Sequence, residues 1–233
     1  MKKKNNLVVT KSNHLIEASY RLTLDEQRLV LSCIAQIDSR KAVPSSLTIT
    51  ADEFSEAYGV DIKSAYGQLK SATNNLYERD IKIKDEKLRT KERIRWVQRV
   101  KYYEGEGKVD LSFSDVVKSY LGELSTRFTS FKLKQVSSLQ SVYSIRLFEL
   151  LTQFQSLGER TIKVPELRTM LGIDEGKYDK FSGFKRRVVD PAVKELNAKT
   201  NFEVSYKPVR DGRAIGALEF SFKESDQLKL GLN

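Results

Sequence analysis

At 233 residues, with 39% hydrophobic side chains and charge interspersed among them, the chain carries enough apolar surface to offset the entropy of folding, which excludes a disordered polymer. The length suits two domains of about 110 residues each. Forty-one Lys and Arg against 31 Asp and Glu leave a formal charge of +10, which favours a polyanionic partner, nucleic acid first, without deciding it, because a solvated basic surface has the same composition.

The lone Cys33 rules out an internal disulfide and suits a reducing cytoplasm. Lys2-Lys3-Lys4 is followed by too short an apolar run for a signal-peptide core, and no later stretch approaches a membrane span, so neither export nor insertion is expected.

Ser12 is expected to cap a short first helix. Thr23, with Glu26 reaching back as its capping-box partner, opens the first strong helix, along which Leu24, Leu31, Ile34 and Ala35 recur at helical spacing. After a loop containing Pro44, residues 47–50 alternate as a short strand, and Thr50 with Glu53 forms a second capping box for a helix that Gly59 closes. A longer helix is predicted over 61–77, with Ile62, Ala65, Leu69 and Leu76 on its buried side, followed by strand material at 81–83. Alternating segments at 94–103 and 109–113 flank Glu104-Gly105-Glu106-Gly107 and predict a hairpin.

The order helix, strand, helix, helix, hairpin then returns. Val142, Ile145, Leu147, Phe148, Leu151 and Phe154 mark a helix stopped by Gly158. Thr161-Ile162-Lys163-Val164-Pro165-Glu166-Leu167 lies over Thr48-Ile49-Thr50-Ala51-Asp52-Glu53-Phe54 without a gap, at an offset of 113 residues. Leu171-Gly172-Ile173-Asp174 lies over Tyr58-Gly59-Val60-Asp61 at the same offset, after which the second copy inserts residues around Gly176 and Gly183. A long helix over 181–198 and paired strands at 202–206 and 217–222 complete it, with Asp211-Gly212 at their connection. Two copies of domain size indicate duplication of a whole domain rather than a solenoid. The boundary is expected near 125–129, giving domains 1–125 and 126–233.

Each copy reads as a winged helix-turn-helix, so the fold class is α+β with two tandem winged-helix domains. In such a domain the third helix can lie in the major groove while the wing meets backbone or minor groove. In the second copy that helix carries Lys180, Ser182, Lys185, Arg186 and Arg187, and the wing carries Lys207, Arg210 and Arg213. Arginine can grip guanine through two parallel hydrogen bonds, worth about 1–3 kcal/mol of discrimination. Because Lys185, Arg186 and Arg187 are consecutive they cannot all point one way, so base reading and phosphate contact are expected to be divided among them. The first copy offers a weaker set, Lys63, Ser64, Tyr66, Gln68 and Lys70. Arg93, Arg95, Arg99 and Lys101 read first as a solvent-facing strand face, with a DNA-binding hairpin face and a sheet edge pairing with another subunit as the alternatives that sequence leaves open.

Chemistry finds little purchase. His14 is the one histidine, which argues against a metal-dependent nicking enzyme, and no Gly-rich phosphate loop ending in Gly-Lys-Ser/Thr is present. Glu53 and Glu166 read as helix caps rather than an acid/base pair. No catalytic residue, metal or cofactor is expected.

Several long runs resemble the Rep family of plasmid replication initiators, which bind repeated origin sequences called iterons. They are Leu7-Val8-Val9-Thr10-Lys11-Ser12-Asn13-His14-Leu15-Ile16-Glu17-Ala18, Leu22-Thr23-Leu24-Asp25-Glu26-Gln27-Arg28-Leu29, Ser144-Ile145-Arg146-Leu147-Phe148-Glu149-Leu150-Leu151, and Phe184-Lys185-Arg186-Arg187-Val188-Val189-Asp190-Pro191-Ala192-Val193 with Glu195-Leu196-Asn197. The resemblance implies two winged helices straddling one iteron in double-stranded DNA, with the C-terminal domain reading most bases and the N-terminal domain doubling as dimer interface. It also implies monomers that open the origin, homodimers that repress their own operator, and a host initiator and replicative helicase as partners in the bacterial cytoplasm. Base-reading positions vary among members, so Lys185 to Arg187 identify the surface and not the recognised sequence. The rival reading is a winged-helix transcriptional repressor on an inverted operator, which the DNA site would distinguish.

Overall fold

The computed structural model describes residues 7–85 and 89–225, with the side chains of Lys84 and Asp85 left aside; Lys2-Lys3-Lys4 lies outside the described residues. The chain divides into two units, Met1–Ser137 and Ser138–Asn233.

In the first unit β1 (Val8–Ser12) runs into α1 (Asn13–Glu17), whose first turn is capped by the Ser12 hydroxyl, 3.2 Å from the Leu15 amide. After β2 (Ser19–Tyr20), Thr23 and Glu26 exchange both bonds of a capping box at the head of α2 (Leu24–Ile34). β3 (Leu47–Thr50) enters α3 (Ala51–Tyr58) through the second box, Thr50 with Glu53, and Gly59 ends that helix.

In α4 (Ile62–Tyr77), Ala65, Leu69, Ala72 and Leu76 are buried. Ile62, expected among them, is 48% exposed, because residues 61–64 all face solvent and the buried stripe starts only at Ala65.

The run expected as one strand over 94–103 is two strands in two sheets. β5 (Thr90–Arg95) pairs with β4 (Asp80–Asp85) in the sheet β2-β4-β5, whereas β6 (Val97–Tyr103) pairs with β7 (Lys108–Phe113) in the sheet β3-β7-β6. Trp96 lies at the switch, fully buried, edge-on to Tyr20 at 4.9 Å and tilted against Phe113 at 6.5 Å between ring centroids. Trp96 and Val97 are both buried, which breaks the two-residue alternation a single strand would keep.

The domain boundary also moves. Following α5 (Asp115–Lys118), β8 (Phe128–Lys132) returns to pair antiparallel with β1, Val9 opposite Phe131 and Lys11 opposite Thr129. Residues 126–137 therefore belong with the first unit, and the division expected after 125 falls after Ser137.

The second unit contains α6 (Val142–Thr152), β9 (Glu159–Lys163), α7 (Val164–Met170), α8 (Phe181–Phe184), α9 (Asp190–Lys199), β10 (Phe202–Asp211) and β11 (Ala214–Glu224). Its sheet order β10-β11-β9 matches β6-β7-β3 in the first unit: the strand ahead of the second helix pairs with the outgoing strand of the wing. Phe148, Phe202 and Phe222 join α6 to that sheet, with centroids 4.8 Å and 6.0 Å apart along the chain of rings. Pro165 occupies the first turn of α7, where its missing N–H is no loss. The copy has no counterpart of the Thr50 cap, since Lys163 stands there and faces Glu166 at 3.6 Å. The long helix expected over 181–198 is interrupted by a π turn at Lys185–Val189.

Candidate nucleic-acid interface

Pro191 explains the π turn. It has no N–H to donate to the Arg187 carbonyl, and its ring would crowd that oxygen in a regular α-helix. The chain widens instead: the Asp190 N–H donates to the Lys185 carbonyl, five residues back. Lys185, Arg186 and Arg187 all sit on this wide turn, and the structure sorts them by partner. Lys185 is half-buried, its ammonium 2.8 and 2.9 Å from the Asp190 carboxylate oxygens. Arg187 is exposed, with its guanidinium carbon 5.9 Å from the centre of the Tyr178 ring. Arg186 is exposed and has no side-chain partner among the described residues. With Tyr178, Asp179, Lys180, Ser182 and Gly183, the two arginines line an open pocket of ≈ 520 Å³ at the N-terminal end of the third helix. Such an end, bordered by one guanidinium without a partner among the described residues and a second set over a tyrosine ring, suits an anionic, hydrogen-bonding ligand.

The wing is a long hairpin closed by Gly212 and Arg213, with Gly212 at φ 60°, a turn position that glycine fills without strain. A bulge displaces the register at Val209 and Arg210, leaving Gly216 as the extra residue; a Cβ on Gly216 would come within 2.7 Å of the Asp211 Cβ. Arg210 and Arg213 are exposed at this tip with no partner among the described residues. Lys207, also exposed, differs from them in pairing with Glu219 across the hairpin at 2.8 Å.

The first unit differs in charge. On α4, Lys63 and Lys70 are exposed, but Lys70 lies 5.8 Å from the Tyr102 ring centre, the Ser64 hydroxyl donates to the Asp61 carbonyl, and the Tyr66 hydroxyl approaches the Tyr103 carbonyl at 3.4 Å. Gln68 is half-buried. The tip of the β6–β7 hairpin carries Glu104 and Glu106, the latter paired with Lys108 at 2.5 Å. The first wing thus lacks the basic tip of the second, which leaves α4 as the first unit's better candidate for phosphate contact. Arg93 and Arg95, expected as solvent-facing, are exposed and lean on Asp80. Among the described residues no three His, Cys, Asp or Glu side chains gather as a metal site, and no helix is long and apolar enough to cross a membrane.

A family model described as "Initiator Replication protein, WH1" matches residues 8–152, and one described as "Initiator Rep protein, WH2" matches residues 163–222. The chain belongs to the initiator Rep protein family. A "Replication initiation protein" of Escherichia coli is 27% identical over 236 residues, covering 97% of this chain and 72% of the relative. The "PI protein" of the same organism is 25% identical over 253 residues, covering 91% and 82%. The crystal structure of Pi initiator protein in complex with iteron DNA shares the fold with a TM-score of 0.81, at 23% identity, over 96% of this chain and 99% of that one. Two winged-helix domains, as expected from the sequence, are thus borne out.

Within this initiator Rep protein, much of the resemblance turns out to be scaffold around the candidate interface. The Tyr206 hydroxyl of β10 donates to Asp190, tying the third helix to the wing. Asn197 bonds both backbone groups of Val204, its Oδ1 accepting at 2.6 Å and its Nδ2 donating at 2.8 Å. Glu195 accepts from the Gln140 and Ser141 amides at the head of α6. Burial raises the Glu195 carboxyl, but hydrogen bonding from Ser144, Lys199 and the Gln140 amide, together with the Lys199 charge, outweighs it and holds the group below its ordinary range. Arg146 and Glu149 form a buried pair at 2.8 Å. Sequence reasoning missed Asp190, Tyr206 and Tyr178 as parts of the site. Asp190 stood inside a matched run, whereas nothing local marked the two tyrosines.

Proposed function

We propose that this initiator binds directly repeated double-stranded DNA at a plasmid origin, one repeat of about two helical turns per monomer, with the second unit reading most bases. Arg186 carries the reading: an exposed arginine at the entrance of the third helix, without an internal partner, is placed to fork onto a guanine edge. The fold shared with a Pi initiator protein solved in complex with iteron DNA supports the same class of target. Arg210 and Arg213 would hold backbone or minor groove from the wing, and Lys63 and Lys70 phosphates from the first unit.

The role is non-enzymatic. Binding energy is used to bend or destabilise an adjoining AT-rich segment, which elastic estimates put at about 1–6 kcal/mol. Dimers formed through the first unit repress the chain's own operator, and a host initiator and replicative helicase are recruited in the bacterial cytoplasm. No cofactor is needed.

The test is footprinting on DNA flanking the chain's own gene at two salt concentrations. Protection of several direct repeats, each about two turns long, is expected. A single protected inverted repeat would identify a repressor instead, and the absence of specific protection at either salt would sink the DNA-reading assignment.

A further inference from the structure

Tyr178 holds the left-handed backbone region at φ 59°, which a bulky side chain rarely adopts. Arg127, Glu123 and Arg89 share that feature in the first unit; in the second unit Tyr178 is alone among the described non-glycine residues. Such conformations persist only where surroundings over-determine them, and they concentrate at functional sites. Here the clamp is visible. Arg168 of α7 donates from one guanidinium nitrogen to the Tyr178 carbonyl at 2.9 Å and from another to the Lys177 carbonyl at 2.5 Å. The same guanidinium lies 5.3 Å from the centre of the buried Phe184 ring, so the clamp is itself packed in place.

The conformation it enforces points a half-buried aromatic ring at the reading surface. Arg187 and Lys177 approach that ring, at 5.9 and 5.3 Å from its centre. Tyr178 also lines the pocket that Arg186, Arg187 and Ser182 border. A guanidinium resting against an aromatic ring keeps its in-plane N–H groups free while losing much of the freedom of its long stem. The loop that supplies the ring lies in the insertion after Asp174; in the first copy Asp61 leads straight into α4, so the first unit has no such platform.

We propose that Tyr178 is a specificity-determining positioning residue, a strained platform that aims Arg187 at the DNA groove. The proposal rests on the DNA-reading assignment of the second unit given above.

The experiment uses the full chain and two duplexes: the sequence the wild-type chain selects from a random-sequence duplex pool, and a scrambled duplex of equal length. Binding to each is measured by fluorescence anisotropy, beside thermal unfolding, for Tyr178→Asn, Tyr178→Phe, Arg186→Ala, Arg187→Ala and the double variant Tyr178→Asn/Arg187→Ala. Asparagine tolerates the left-handed backbone, so Tyr178→Asn is expected to unfold at an equal or higher temperature. Its preference for the selected over the scrambled duplex is nevertheless expected to fall about tenfold. Tyr178→Phe keeps the ring and the preference, and the double variant is no worse than Arg187→Ala alone. Retained preference in Tyr178→Asn, with loss in Arg187→Ala, would overturn the platform while leaving the interface standing. Equal weakening on both duplexes with a lowered unfolding temperature would make Tyr178 merely structural and overturn it as well. If Arg186→Ala and Arg187→Ala both bind as wild type does, the interface assignment falls and takes the proposal with it.

Discussion

The ammonium of Lys185 lies 2.8 and 2.9 Å from the two carboxylate oxygens of Asp190, five residues along the same interrupted helix. A charge that composition assigns to DNA already has an intramolecular partner at the surface. Burial raises the Asp190 carboxyl, but hydrogen bonds from Lys185 and Tyr206 and the Lys185 charge outweigh it and hold the group below its ordinary range. Lys185 is raised by its bond to Asp190 first. On the proposed reading, the pair would keep one cation off the phosphates and leave base reading to Arg186 and Arg187.

Asp190→Asn should therefore release Lys185. Binding to scrambled DNA is expected to rise, with the plot of log affinity against log salt steepening by about 0.9 if one further phosphate is engaged. An unchanged slope would mean that Lys185 already reaches DNA in the wild-type chain. The stability difference between wild type and Asp190→Asn also has a defined pH course. Because Asp190 is depressed on folding, the difference should be complete at neutral pH. It should begin to shrink as pH falls below the unfolded value of about 3.9 and vanish below the folded one. Urea unfolding across that range reads it.

Arg186→Ala should weaken specific binding by about 1–3 kcal/mol while leaving scrambled-duplex binding nearly intact, the mark of a base contact. Lys185→Ala should cost less on the selected duplex. Titrations of both variants on the two duplexes would separate the roles, and the reverse ranking would refute the sorting by internal partners.

Arg146→Ala leaves the Glu149 carboxylate buried without the cation 2.8 Å away, a change expected to destabilise the second unit by about 3–5 kcal/mol. Replacing both by apolar residues, Arg146→Met with Glu149→Leu, should recover most of that loss. Denaturant unfolding followed by tyrosine fluorescence of the second unit, which lacks tryptophan, reads both variants.

Gly216→Ala sets a methyl group against the Asp211 Cβ, so the wing tip must shift. Thermal stability should change little, because the tip is exposed, whereas affinity for every duplex should fall as Arg210 and Arg213 lose their aim. A large drop in unfolding temperature with unchanged affinity would show that the bulge serves the sheet and not the interface.

The features legible in the sequence are those whose partners lie within one turn of each other. Thr23 with Glu26 and Thr50 with Glu53 are three residues apart, so their capping boxes could be written down and are present. The Gly212 turn and the repeat at an offset of 113 residues are equally local or self-referential. Trp96 shows the limit. The apolar run through it looks continuous, and only the competition of β4 and β7 for the two halves reveals a switch of sheet.

By itself, then, the sequence determined the capped starts of α2 and α3, the duplicated order of elements, the basic third helix and wing of the second copy, and the family that shares them. Tertiary structure alone decided that β8 folds back onto β1 across more than a hundred residues, that Asp190 answers Lys185, and that Arg168 clamps Tyr178 beneath Arg187. The physical reason is reach. Caps and turns are fixed by backbone geometry over a few residues, whereas strand pairing and the partners of a charged side chain depend on which distant edges and carboxylates packing brings within hydrogen-bonding distance.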